Sequence, residues 1–219
     1  FFKKRDRAKS YLLLKDIFPQ NAIDMELLKR GGVLHKYFRN KEIKLYQASD
    51  FIGCMSPANV KYINEHNSFL DRKKTEENPN TIEPSVFHAS DVNKTQVRLK
   101  YGIPEKATVL IYGGNLGVPQ GLAFLIKILE SNAYQKNIYF IIVGSGTGFP
   151  NLLTWFKLNI PGNAKLLSSL PKEDYDVLVK SSDIGLILLD HRFTIPNYPS
   201  RLLSYMEAKI PILLATDES

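Results

Sequence analysis

The sequence predicts an α/β protein built on parallel, doubly wound sheets. Apolar runs of strand length recur along the chain, separated by amphipathic stretches of about helix length. The runs at 108–112 (TVLIY), 138–143 (IYFIIV) and 184–189 (IGLILL) are apolar throughout rather than alternating. Strands of that kind are covered on both faces, which is the parallel case. Glycine-rich or polar turns follow these runs, at the strand ends where such sheets bind ligands. No repeat of fixed period is present.

Taken in order, 11–14 (YLLL) is an expected strand and 16–19 (DIFP) a turn. A short helix is expected over 24–30, with Asp24 as its N-cap and Gly31 just past its end. The stretch 34–47 reads as an amphipathic helix leading to a strand at 51–55. Ser56 as N-cap and Pro57 at the first helical position open a helix running to about Glu65. The region 67–84 carries DRKK, EENPN and Glu83-Pro84 with little apolar periodicity, and reads as a loop or linker. A boundary near residue 88 divides the chain into domains 1–88 and 89–219.

The second part continues with a helix at 94–101 stopped by Gly102, the strand 108–112, a helix at 121–129 and the strand 138–143. A helix at 152–158, a short strand at 164–167, a helix at 172–180 and the strand 184–189 follow. A helix at 199–208 and a strand at 212–215 complete the pattern. The chain starts without Met, almost directly on a strand, and stops soon after one. It reads as a fragment cut at both ends from a longer protein, with both domains incomplete.

Composition narrows the function classes. Of 219 residues, 44% are apolar and 23% charged, which is ordinary globular usage. The apolar runs fall far short of the ~20 residues of a membrane span. A lone cysteine, Cys54, excludes an internal disulfide and a cysteine-rich zinc site, and fits a reducing, cytoplasmic setting. His35, His66, His88 and His191 are too scattered to suggest zinc by spacing. The net charge of +7 suits an anionic partner. Much of it is local, in 1–9 (FFKKRDRAK) and 71–74 (DRKK). Each is either a solvated face or, for the aromatic pair beside the basic run, a contact with an anionic membrane surface. The interleaved basic and aromatic pattern of a single-strand groove is absent, so no nucleic-acid partner is expected.

Candidate chemistry lies at the strand ends. Gly113-Gly114-Asn115-Leu116-Gly117 frees the backbone to turn and lets a phosphate approach, or is a tight turn with no ligand. Gly144-Ser145-Gly146-Thr147-Gly148 contains G-x-G, but Phe149 breaks the extended dinucleotide pattern, which favours a structural turn. Asp190-His191-Arg192 groups a carboxylate, an imidazole and a guanidinium, or is a solvated polar loop. At Asn197-Tyr198-Pro199-Ser200-Arg201, the amides of Ser200 and Arg201 would open a helix and the guanidinium would grip a phosphate. The alternative is a surface arginine on an ordinary helix start. Neither a P-loop nor a G-x-S-x-G elbow occurs.

The runs IYGGNLGVPQGLAFLI, FIIVGSGTG and YPSRLLSYMEAKIPILLATD resemble the donor-binding half of family-4 retaining glycosyltransferases. The bacterial members that build capsules, O-antigens and exopolysaccharides are the nearest in pattern. LLLKDIFP and ASDFIGCMSPANVKYI resemble the later half of the acceptor domain in the same proteins. The resemblance implies the GT-B type, two Rossmann-like parallel-sheet domains. Residues 1–88 would be the later part of the acceptor domain and 89–219 a donor domain lacking its last elements. It implies transfer of a sugar from a nucleotide-diphosphate sugar to a glycan or lipid-linked acceptor, at the inner face of the membrane. No cofactor or metal is expected, and the isolated chain is expected to be inactive.

The donor-binding residues implied are Gly114, Asn115, Leu116, Gly117, Tyr198, Ser200, Arg201 and Ser204, with the Ser168-Ser169-Leu170 turn near the base. No catalytic residue is named. The sequence departs from the family at Pro196 and Ser204, where many members carry glutamates, and at Asn115 and Gln120, where many carry an arginine and a lysine. By the resemblance Arg201 is left with much of the task of neutralising the diphosphate, and Glu207 is at best a partial substitute for the lost ribose contact. A non-catalytic binding or regulatory module related to these enzymes is the alternative. An epimerase or dehydrogenase rests only on Gly144-x-Gly146, with NAD binding as its test.

Overall fold

The computed structural model describes residues 2–83 and 92–216. The boundary expected near residue 88, and His88 itself, lie outside them. The chain divides into two units: Phe1–Thr81 with Arg192–Tyr198, and Ile82–His191 with Pro199–Thr216.

In the first unit, β1 (Tyr11–Leu14), β2 (Phe51–Cys54) and β3 (Thr75–Glu77) form a parallel sheet in the order β1-β2-β3. Its helices are α1 (Phe2–Asp6), α2 (Gln20–Asp24), α3 (Val33–Ala48) and α4 (Pro57–His66). The Ser56 side chain accepts from the Asn59 amide and Pro57 opens α4, as expected. Two expectations are corrected. The helix expected over 24–30 lies at Gln20–Asp24, and Asp24 is its last residue rather than its cap. Its carboxylate is buried and accepts from the Thr194 amide at 2.8 Å, so tertiary structure uses the group that local reading gave to a cap. The loop expected over 67–84 contains β3, whose Thr-Glu-Glu sequence carries no apolar pattern to betray it. Backbone pairing with β2 makes it a strand.

This unit's core gathers Ile17, Tyr46, Ile52, Cys54 and Ile63. Phe193 and Ile195 complete it from far along the chain. The returning segment is pinned by Asp24 and by the Asn59 side-chain amide, which donates to Pro196 O at 2.8 Å.

In the second unit, a parallel sheet of five strands runs β6-β5-β4-β7-β8. The strands are β4 (Thr108–Asn115), β5 (Ile138–Ser145), β6 (Ala164–Leu167), β7 (Ile184–Leu188) and β8 (Ile212–Ala215). Helix α5 (Lys94–Tyr101) precedes the sheet, and α6 (Leu122–Ser131), α7 (Phe149–Asn159), α8 (Lys172–Ser181) and α9 (Arg201–Glu207) make the crossovers. Val109 and Ile111 join one core with Leu178, Val179 and Tyr205. Leu110 and Tyr112 join a second with Leu125, Leu129 and Leu152. Both faces of β4 are covered, which is why its sequence does not alternate. Arg98 and Asp183 brace the base of the sheet: the guanidinium donates to the carboxylate at 2.8 Å, which also accepts from the Val109 amide at 2.8 Å.

Candidate functional site

The strand order places β4 centrally, with β5 and β6 on one side and β7 and β8 on the other. The direction of winding reverses at β4, so the switch point lies at the carboxyl ends of β4 and β7. The glycine run expected to be a turn after 112 is mostly strand. Gly113, Gly114 and Asn115 pair in register with Val143, Gly144 and Ser145.

Each glycine there has a distinct cause. A Cβ on Gly113 would lie 2.1 Å from the Tyr175 hydroxyl, so the position is small because Tyr175 occupies that space. The buried Tyr205 hydroxyl accepts from the Gly113 amide at 3.3 Å and lies 3.1 Å from Ile111 O, its acceptor. Burial raises both phenols above their ordinary pKa, Tyr205 strongly. Gly114 is exposed and has φ +112°, a conformation that favours glycine. The second run, Gly144, Gly146 and Gly148, beds against the first. Cβ atoms there would lie 1.9 Å from Gly114 O, 2.6 Å from Asn115 Oδ1 and 2.3 Å from Leu122 Cδ1. That run is structural, in line with its sequence reading.

Arg201 comes to the end of β4. A side chain on Gly114 would begin 3.9 Å from Arg201 Nη2. The guanidinium carbon lies 4.5 Å from the centroid of the Tyr112 ring, a cation–π contact. Nη2 donates to Gln120 Oε1. The Tyr112 hydroxyl in turn donates to Gln120 O at 3.0 Å. Nη1 is buried and has no hydrogen-bond partner among the described residues. A buried cationic donor without an acceptor costs free energy, and an anion is the group that would recover it.

Of the residues singled out by sequence, Gly114 and Arg201 are thus neighbours. Asn115 is exposed beside Gly114 and its amide packs against Gly117 and Gly146. Leu116 is fully buried in the core, so only its backbone faces other groups: its amide donates to Ser145 O and its carbonyl accepts from Gly148. Gly117 is buried and precedes a single 3-10 turn at Val118–Gln120. Ser200 is exposed, directly before α9, and Ser204 is half-buried within it. The helix expected over 199–208 is shorter, and Pro199 and Ser200 form the turn that leads into it. Tyr198 falls in the first unit. The Ser168-Ser169-Leu170 turn follows β6. Sequence reading gave Tyr112 no role beyond the strand and Gln120 only that of a lost cation. Their joint hold on Arg201 depends on α9 folding back to β4, which no local spacing records.

The Asp190-His191-Arg192 run is divided between the two units. His191 is 89% exposed, 3.7 Å from Asp190. Arg192 belongs to the first unit, 3.8 Å from Glu26. The N-terminal basic run is partly neutralised: Lys3 pairs with Asp50 at 2.8 Å and Arg5 with Asp6 at 2.7 Å. Among the described residues no group of His, Cys, Asp and Glu could hold a metal ion, and no helix is long and apolar enough to cross a membrane.

Comparison with known proteins agrees with the fold. No family model matches the chain. It is 25% identical over 185 residues to WcaI of Escherichia coli K12, assigned to colanic acid biosynthesis as a glycosyl transferase. The match takes in 80% of the chain and 44% of WcaI. Among solved structures, HepE of Anabaena in complex with UDP and glucose superposes with a TM-score of 0.69 at 15% identity, over 97% of the chain and 54% of HepE. WaaG, a glycosyltransferase involved in lipopolysaccharide biosynthesis, superposes with a TM-score of 0.64 at 18% identity, over 97% of the chain and 60% of WaaG. The chain therefore spans about half the length of the proteins it matches. Its fold is that of the GT-B glycosyltransferases, with Rossmann-like parallel sheets.

Proposed function

We propose that the chain is part of a retaining glycosyltransferase that moves a sugar from a nucleotide-diphosphate sugar to a glycan or lipid-linked acceptor in surface polysaccharide biosynthesis. The observation that carries this reading is the Arg201 guanidinium at Gly114, on the switch point, with Nη1 buried and unpaired among the described residues. Similarity to WcaI supports the pathway class. In transfer, the bond between the anomeric carbon and the diphosphate oxygen breaks and charge gathers on the leaving phosphate, while the acceptor's hydroxyl oxygen bonds the anomeric carbon and its proton passes to that phosphate. Arg201 would balance that charge, and the open backbone at Gly114 and Asn115 lets the phosphates come close. The reading calls on no metal. Ser200, exposed directly before α9, would offer its hydroxyl and amide to a phosphate oxygen, and Ser204, within α9, would face the donor's ribose side.

The reading places the enzyme in the cytoplasm at the inner face of the membrane, which suits a lipid-linked acceptor. Exposed Val33, Leu34 and Tyr37 share α3 with Lys36, Lys41 and Lys44, a mixture suited to anionic headgroups. Sedimentation with anionic vesicles that is unchanged by Lys36→Glu and Lys41→Glu together would remove this part of the reading.

A thermal-shift titration with UDP, GDP and NAD tests the donor site. A ligand at ~100 times its dissociation constant stabilises by about 2.7 kcal/mol. Stabilisation by UDP or GDP that Arg201→Ala abolishes is the expected result. Stabilisation by NAD alone would overturn the reading. A non-catalytic module is the second reading, favoured by Asn115, Pro196 and Ser204. Nucleotide binding without transfer by the complete protein would select it.

A further inference from the structure

The surroundings of Arg201 contain an arrangement that donor binding alone does not require. Tyr112, Gln120 and Arg201 close on one another. The Tyr112 hydroxyl holds the Gln120 backbone at 3.0 Å, the Gln120 side-chain carbonyl takes Arg201 Nη2, and the guanidinium lies over the Tyr112 ring at 4.5 Å. One residue thus supplies both the seat of the cation and the anchor of the group that aims it.

We propose that Gln120 is a positioning residue for Arg201: its neutral acceptor fixes Nη2 and so sets the direction in which the guanidinium meets the ligand's phosphate. This rests on the donor reading above. The neutrality of Gln120 is essential to it. A carboxylate at 120 would hold the guanidinium in the same place but cancel its charge. An apolar side chain would leave the charge but release its direction, since a guanidinium resting on a ring face alone is free to turn. Gln120 is half-buried on a 3-10 turn, and its own backbone amide donates to Gly117 O at 3.1 Å whatever the side chain. Substitution there therefore spares the local fold.

The test compares UDP with uridine on the full chain for wild type, Gln120→Leu and Gln120→Glu, by calorimetry. Loss of one aimed, charge-assisted hydrogen bond weakens binding roughly ten-fold. Both variants are expected to lose about that factor for UDP and to keep their uridine affinity. Nitrogen NMR of the arginine side chains, without ligand, separates the variants. The Arg201 Nη resonances should remain distinct in wild type and Gln120→Glu and merge in Gln120→Leu as the group rotates. Equal losses for UDP and uridine, or distinct Nη resonances in Gln120→Leu, would overturn the positioning role while leaving the donor site standing. A wild-type chain that binds no UDP would remove both.

Discussion

At Gly113, Gly185 and Cys54 the physical reason for a residue lies far from it in sequence. Gly113 reads as a loop glycine poised for phosphate, yet its small size admits the Tyr175 hydroxyl. Gly185 does the same for the ring of Tyr205, whose Cδ2 would lie 2.4 Å from an added Cβ. No run of sequence pairs 113 with 175 or 185 with 205, so this was not legible. Gly185→Ala should cost about 1–3 kcal/mol by overpacking, measured as a lower urea midpoint at unchanged slope. Cys54, correctly read as unable to form an internal disulfide, is fully buried on β2, and burial pushes its thiol up to about 11. Above the ordinary thiol pKa the unfolded chain loses this proton while the folded chain keeps it. Its contribution to stability is therefore whole at neutral pH and falls as pH rises toward about 11. Cys54→Ala should flatten that alkaline decline, although the cavity lowers stability at every pH. In the folded wild type, a thiol reagent at neutral pH should react only as fast as the unit opens.

Elements were most legible where one short stretch holds both the motif and its partner. Ser56, Pro57 and Asn59 form such a set, and α4 begins where they indicate. Ser56→Ala should cost about 1 kcal/mol, read from the thermal midpoint, and Ser56→Asp should recover most of it. The apolar strands of the second unit were legible for the same reason, since a strand buried on both faces needs no neighbour to identify it. Their ends were not: β4 and β5 continue through glycines into Asn115 and Ser145 because they pair with each other there. Strand β3 is the opposite case. Thr75, Glu76 and Glu77 have side chains suited to solvent, and only the free edge of β2 recruits them. Helix α2 was displaced because Asp24 serves a distant amide rather than its own helix. At the candidate site the two ends, Gly114 and Arg201, were legible from their chemistry. Tyr112 and Gln120, which join them, were not.

For the whole molecule, the class of fold followed from apolar runs alone, but the division into units did not. A boundary in the polar linker divides the sequence once, whereas the chain passes from one unit to the other and back again at Arg192–Tyr198. That segment reads as an ordinary loop after β7, since Phe193 and Ile195 show no periodicity in so short a stretch. Both are nonetheless buried in the first unit's core. Phe193→Ala should cost about 3–5 kcal/mol and should expose Cys54 to thiol reagents sooner than the same loss in the second unit. Asp24→Ala should act in the same direction by freeing the Thr194 amide. A piece ending at Thr81 should be less protected from proteolysis than the same residues in the full chain, and a peptide of 190–199 added to it should restore part of the protection. The arrangement also sets an order of events during translation. At ~5–20 residues per second, the ribosome makes Phe193 on the order of ten seconds after Thr81. Through that interval the first unit waits with an open apolar seam, so the nascent chain is most in need of a chaperone between the making of Thr81 and that of Ile195.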